Sequence, residues 1–344
     1  MMTPDLRSAP PPRRRNRRAS TVTVTENWRG ATLPALVQAN VTGIDLPSWA
    51  AEHRDTIDEL ARRSGAVLLR GFAVDGADGF YATVRSISDD VLGYGERSSP
   101  RSEVISGGVY TSTDHPADQP ILLHNEQSYT LDWPLRIMFF CEVAPAEGGR
   151  TPLADSRRVL ARLEPDTVAR FERHGIRYVR NYVPGISLSW QDTFGTTDRS
   201  EVERYCAQAD IQLEWLADGA LRTSQVRPAV HTHPVTGERT WFNHALFFHN
   251  SSMPAGVGAD LWESLGEQHL PYHTYYGNGE PIAEETLAQL RAAFAAETVA
   301  FDWQEGDIVV VENMLAAHAR EPFRGPRRIL VAMAEPRSSV SVPA

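Results

Sequence analysis

The sequence predicts a single α+β domain built on a β-sandwich or barrel, and three observations carry that prediction. Short apolar runs of strand length recur along the whole chain, while segments with helical spacing gather early and in one later insertion. No internal repeat and no clean linker divides the 344 residues. A composition of 42% hydrophobic and 23% charged residues is enough for a sizeable water-soluble core. No apolar run approaches the length that crosses a bilayer, so no membrane partner is expected.

Taken in order, residues 1–20 form an Arg/Pro-rich tail that can bury almost nothing, so disorder is expected there and the domain spans 21–340. The paired arginines raise an export-signal reading. However, Thr21–Trp28 is polar and alternating where that signal needs an apolar stretch, so a solvated tail is the better reading. Leu46–Ser64 has helical spacing and stops at Gly65. Ala66–Phe72 reads as a buried strand, Gly79–Leu92 as a second helix, and 93–118 as loop forming a lid or rim. Strands are expected at Gln119–Tyr129 and Ile137–Val143, followed by a Pro145–Gly149 turn. An amphipathic helix fills Ser156–His174, stopped by Gly175, and Ile176–Val183 is again a strand. Asp198-Arg-Ser-Glu201 is a capping box opening a helix to about Ala209. Short strands and turns then run from Leu213, a helix covers Glu284–Ala296, and strands are expected at Asp307–Glu312 and Ile329–Ala334.

Composition excludes several chemistries. All 34 basic residues are arginine, which rules out a lysine Schiff base to pyridoxal phosphate and a lysine-bearing phosphate loop. No G-x-G-x-x-G follows a strand pattern, so a dinucleotide cofactor is not expected. The tail carries six arginines against one aspartate, net +5, so the body holds −15 of a chain whose total is −10. An acidic body argues against nucleic acid as a partner. Two cysteines, Cys141 and Cys206, make neither a disulfide framework nor a zinc ribbon, and a cytoplasmic location is expected.

The stretch that carries chemistry is Gln119-Pro-Ile-Leu-Leu-His-Asn-Glu-Gln-Ser-Tyr129. Read as a strand, it turns His124 and Glu126 to one face and Asn125 to the other. An imidazole beside a carboxylate is two-thirds of the 2-His-1-carboxylate triad that holds non-haem Fe(II). By itself an H-x-E is a weak signal, and a partner must come from elsewhere.

Four motifs in order supply it: Gly65-Ala-Val-Leu-Leu-Arg-Gly-Phe72, the H-x-E pair, Gly148-Gly-Arg-Thr-Pro-Leu-Ala-Asp155, and a tail reading Gly306-Asp307, Glu312-Asn313, His318, Phe323 and Arg327-Arg-Ile-Leu330. On these, residues 22–335 resemble the TauD/TfdA (taurine dioxygenase-like) family of Fe(II)/2-oxoglutarate-dependent oxygenases. The resemblance implies a double-stranded β-helix (jelly-roll) core with flanking helices and a helical insertion. It implies His124, Glu126 and His318 as iron ligands, with 2-oxoglutarate and O2 as cosubstrates. Three ligands on one face leave open positions for both. By the same resemblance Arg328, ten positions after His318, grips the far carboxylate of 2-oxoglutarate with help from Thr151. Arg327, its neighbour on a strand, is expected to face the other way as a surface residue.

A retained carboxylate at Glu126 favours hydroxylation over halogenation; desaturation or cyclisation on a related substrate, which uses the same ligands, is the alternative. Glutamate in place of the family's usual aspartate resembles the clavaminate synthase branch. His124–Tyr129, Arg177–Tyr182 and Trp241–Asn243 look most like the syringomycin-pathway type, which β-hydroxylates amino-acid units in nonribosomal peptide and antibiotic biosynthesis. Several relatives carry a second arginine four residues after the cosubstrate arginine to hold an anionic substrate group; counted from Arg328, that place is Ala332. The expected substrate is therefore a small molecule, an amino acid, or a carrier-protein-tethered aminoacyl unit, contacted by Gln127, Ser128 and Asn243; a homo-oligomer is compatible with the sequence. His231 and His233, His244 and His249 are read as structural, pocket-lining or core-strand residues. A metal-dependent hydrolase with His231, His233 and His318 on zinc and Glu126 as base is the reading from another enzyme class, and a jelly-roll binding protein that has lost its chemistry is a third.

Overall fold

The computed structural model describes residues 20–93, 96, 101–106, 108–112, 115–182, 187–216, 219–253, 257–266 and 270–338. The Arg/Pro-rich tail, Ser20 excepted, lies outside the described residues.

Two sheets face each other in a jelly roll. The larger runs, edge to edge, through Val22–Thr25, Ala35–Ala39, Ala66–Arg70, Ile308–Glu312, Asp132–Val143, Arg328–Ser338, Val109–Thr111 and Glu103–Ile105. The smaller runs through Thr298–Val299, Leu153–Asp155, Ala316–Arg320 and Ile121–His124. Side-chain alternation sorts the large sheet into two buried faces. Val67, Leu69, Met138, Phe140, Ile308, Val310, Leu330 and Ala332 point outward under the helices Leu46–Glu52, Arg54–Ser64 and Gly76–Ile87. Leu68, Ile137, Phe139, Val309, Val311, Ile329, Val331 and Met333 point inward, against Leu153 and Ala316 of the small sheet. Because both faces are covered, these strands read as continuous apolar runs.

A third sheet, ordered Gln212–Trp215, Leu221–Arg227, Ile176–Tyr182 and Tyr272–Tyr276, shares a core with Ala154 and Ala317 of the small sheet. The helices Trp190–Phe194 and Arg199–Gln208 form the expected insertion and bury Trp190, Val202 and Cys206 against Tyr182 and Leu221. Among the described residues no helix is long and apolar enough to cross a membrane.

Several expected elements are divided. The helix over 46–64 breaks at His53, whose ring stacks on Trp49 at 4.3 Å. The helix over 156–174 breaks before Pro165, which lacks the N–H a continuing helix needs and starts the second helix instead. The strand expected over 119–129 stops at His124, and 126–129 form a turn in which Gln127 takes φ +53°. The His124–Glu126 pairing therefore does not arise from strand alternation. Residues around His244 and His249 also form turns after the strand Arg239–Trp241 ends, so neither lies on the core strand expected.

Candidate functional site

His124 closes the edge strand of the small sheet and lies directly across from His318 on its neighbour. Their rings stand 4.4 Å apart. One ligand atom each from His124, Glu126 and His318 lies within 4.8 Å of the others, the one such group among the described residues. His124 donates from Nδ1 to the Leu122 carbonyl at 2.8 Å, which leaves the Nε2 lone pair for a metal. Burial, with its neighbours His124 and Arg101, pushes the His318 imidazole well below its ordinary pKa; loss of water lowers that of His124, against the pull of Glu126. Both are neutral at pH 7, as metal binding requires.

Glu126 reaches this group because Asn313 holds its backbone. Asn313 Oδ1 accepts from Glu126 N at 2.8 Å, and Nδ2 donates to the carbonyls of Glu126 at 2.9 Å and Pro134 at 2.8 Å. Asn125 Nδ2 donates to the Asn313 carbonyl at 2.7 Å. The turn is thus tied to the end of strand Ile308–Glu312, which gives the Glu-Asn motif a physical function.

Beside the triad is a cavity lined by His124, Thr151, His318, Arg101, Arg320 and Arg327. The side chain of Arg328 is not there: it is 51% exposed and pairs with Glu142 at 2.8 Å. Alternation gives the reason. Arg327 shares the inward face with Ile329, Val331 and Met333, whereas Arg328 shares the outward face with Leu330 and Ala332. The expectation faced Arg328 inward and Arg327 outward, and the structure faces them the other way. Arg327 Nε donates to the Gly149 carbonyl at 3.0 Å, and burial, then Arg320, pushes its pKa down to about 10. Arg320, two residues beyond His318 on the same strand face, donates to the carbonyls of His115, Pro116 and Gln119 at 2.6–2.9 Å. Two buried guanidiniums that repel each other, with only neutral acceptors bonded to them, make an anion site.

Gly148 and Gly149 form the turn on which Arg327 is held. Their φ values are +67° and +64°, and a Cβ on Gly148 would lie 2.3 Å from the Pro322 carbonyl oxygen, so glycine is required. The turn presents the Gly149 carbonyl to Arg327 and leads into Thr151, whose hydroxyl accepts from Trp303 Nε1 at 3.1 Å. The donor set fits the groups in question: two neutral imidazoles and a carboxylate suit a divalent cation, and the neighbouring guanidiniums suit a dicarboxylate.

Gln127, Ser128 and Asn243 are buried but do not line this cavity. Ser128 Oγ lies 2.6 Å from His244 Nδ1. Asn243 holds Ala229 O and Ala245 N with its amide, a structural use. His233 bonds Glu312 at 3.0 Å, and His231 stands against Trp133 and Phe242, so neither joins His318 as the hydrolase reading requires. Arg101 and Arg320 were not singled out from the sequence, and Asn313 stood there only within the Glu-Asn motif, with no role given to it. Arg320 was findable as the i+2 neighbour of His318 on a strand; Arg101 comes from a loop and left no signal.

Residues 29–333 match the model of the taurine catabolism dioxygenase TauD, TfdA family. The chain is 39% identical over 307 residues to the dapdiamide synthesis protein DdaC of Enterobacter agglomerans, covering 89% of this chain and 92% of that protein. Among solved structures, PvcB from Pseudomonas aeruginosa aligns with a TM-score of 0.56 at 18% identity, covering 92% of each chain. An asparagine oxygenase, solved in complex with Fe(II), 2S,3S-3-hydroxyasparagine and succinate, aligns with a TM-score of 0.51 at 17% identity, covering 83% of this chain and 79% of that one.

Proposed function

Because the chain belongs to the TauD, TfdA family and is an Fe(II)/2-oxoglutarate-dependent dioxygenase, we propose how its own residues share that work. His124, Glu126 and His318 hold the iron, and the convergence of their ligand atoms within 4.8 Å is the observation that carries this reading. Arg327, with the Thr151 hydroxyl beside it, takes the far carboxylate of 2-oxoglutarate, and Arg320 adds positive potential. When bound, the iron and its cosubstrates supply the oxidising power that converts a C–H bond to C–OH as 2-oxoglutarate becomes succinate and CO2. Asn313 fixes the carboxylate ligand, Leu122 fixes the His124 tautomer, and Phe139 and Ile329 keep one wall apolar, which limits water at the reacting carbon.

The substrate we propose is an amino acid, or an aminoacyl unit on a carrier protein, hydroxylated at an unactivated carbon in secondary metabolism. Likeness to a protein of dapdiamide synthesis supports the biosynthetic setting, and the hydroxyasparagine bound to a structural neighbour supports the amino-acid class. The test begins without substrate. Fe(II) and 2-oxoglutarate added anaerobically should give a weak visible charge-transfer band, abolished in His318→Ala and in Arg327→Ala. Succinate release across a panel of amino acids then identifies the substrate. A wild type that gives no band would overturn this sharing of the iron and the cosubstrate among these residues.

A further inference from the structure

Arg101 has no part in the assignments above, yet its side chain is only 5% exposed and reaches the centre of the site. Its Nη2 lies 2.8 Å from Glu126 Oε2, the same oxygen that faces His318 Nε2 at 3.8 Å. A cation held by Glu126 and His318 would draw on that oxygen and compete with Arg101 for it.

The neighbouring strands explain why a cation arrives from this segment. The resemblance implies a substrate arginine four residues after the cosubstrate arginine. Counted from Arg327 instead of Arg328, that place is Val331, apolar and buried in the inner core. Val331 pairs with Tyr110, and Tyr110 pairs in turn with Glu103. Ser102 and Thr111 lock this hairpin in both directions, Ser102 N to Thr111 Oγ1 at 3.0 Å and Thr111 N to Ser102 O at 2.8 Å. The same hairpin therefore pairs with the strand at Val331 and carries Arg101 to the cavity.

Charge decides what Arg101 takes. A divalent metal, Glu126 and a dianionic 2-oxoglutarate together carry one negative charge, against the three guanidiniums of the cavity. A substrate that brings a carboxylate relieves the excess, and one that brings only an ammonium adds to it. We infer that Arg101 is the specificity-determining residue that receives a substrate carboxylate next to the metal, so that the substrate is a free acid such as an unesterified amino acid. A thioester-linked aminoacyl group, lacking that carboxylate, is the form disfavoured. This rests on the dioxygenase assignment proposed above.

The test uses the anaerobic Fe(II)·2-oxoglutarate complex of the full chain and the twenty free L-amino acids, each paired with its methyl ester. In wild type at least one acid should perturb the charge-transfer band while its ester does not. Arg101→Gln should keep the band and its 2-oxoglutarate dependence but bind that acid on the order of a hundredfold more weakly, with Arg101→Lys between the two. Acid and ester acting alike, no acid acting, or a band lost in both variants overturns the inference, the last because Arg101 would then organise the metal site. A wild type without any band removes the dioxygenase assignment itself, a distinct result.

Discussion

Asn313 grips the peptide of Glu126 from both sides, accepting from its N–H at 2.8 Å and donating to its carbonyl at 2.9 Å. A side-chain amide thus replaces a strand partner where the chain has turned away from its sheet. Removing it leaves a buried N–H and two carbonyls without these bonds. Asn313→Ala should lose on the order of 2–4 kcal/mol of stability and at least about tenfold in Fe(II) affinity. Thermal melting and metal titration check the two effects separately, and Asn313→Asp should lose more metal affinity than stability if position alone is not what matters.

The two adjacent arginines should behave in opposite ways. Arg327 is buried against Gly149, whereas Arg328 is half-exposed on Glu142. Arg327→Ala should weaken 2-oxoglutarate on the order of a hundredfold or more, as expected when one partner of a buried charge pair is removed. Arg328→Ala should change it less than about threefold, since an exposed ion pair contributes little. Titrating 2-oxoglutarate into the anaerobic Fe(II) protein of each variant gives the comparison, and equal losses would return Arg328 to the site.

What the chain disclosed before its structure follows from how far each signal reaches along it. The apolar runs at Ala66–Phe72, Ile137–Val143 and Asp307–Glu312 were legible because both faces of those strands are buried. His124, Glu126 and His318 were legible as a motif, although the reason first given for the pair, strand alternation, does not hold past His124. Arg327 and Arg328 were exchanged because a choice between neighbours needs the phase of the strand. Ile329, Val331 and Met333 supply that phase only once the inner face is known. Arg101 reaches Glu126 through loop geometry, which no local pattern encodes, and Asn313 stood in a motif whose bonds to the Glu126 peptide appear only in the fold.

Two motifs that read as independent markers turn out to bond each other. Arg70 Nε donates to Asp307 Oδ1 at 2.9 Å and Nη2 to Oδ2 at 2.6 Å, with both side chains buried. The pair joins two neighbouring strands of the large sheet at their ends, and Asp307 also accepts from Gln304 N to set the turn before its strand. Asp307→Ala leaves a guanidinium buried without its carboxylate and should cost about 3–5 kcal/mol. The double variant Arg70→Met, Asp307→Leu should recover much of that loss in a chemical denaturation series. A single variant as stable as wild type would show that the pair contributes only to geometry.

Acid should destabilise the fold before most carboxylates titrate, and buried histidines set the sign. Burial pushes His231 down to about 4, and burial together with His273 and Arg291 pushes His249 down to about 3. Each stays neutral in the folded chain while its unfolded form takes a proton near pH 6.5. The unfolded state therefore binds more protons below that pH, and stability falls as pH drops from 6.5 toward 4 and 3. By pH 5 the loss is on the order of 2 kcal/mol per histidine, whereas between pH 7 and 8 these groups add no slope. His231→Phe keeps a ring against Trp133 and Phe242 and removes one of these titrations. Its melting temperature should therefore fall less steeply than wild type between pH 6.5 and 5. Parallel curves for the two proteins would mean that His231 titrates alike in the folded and unfolded chain.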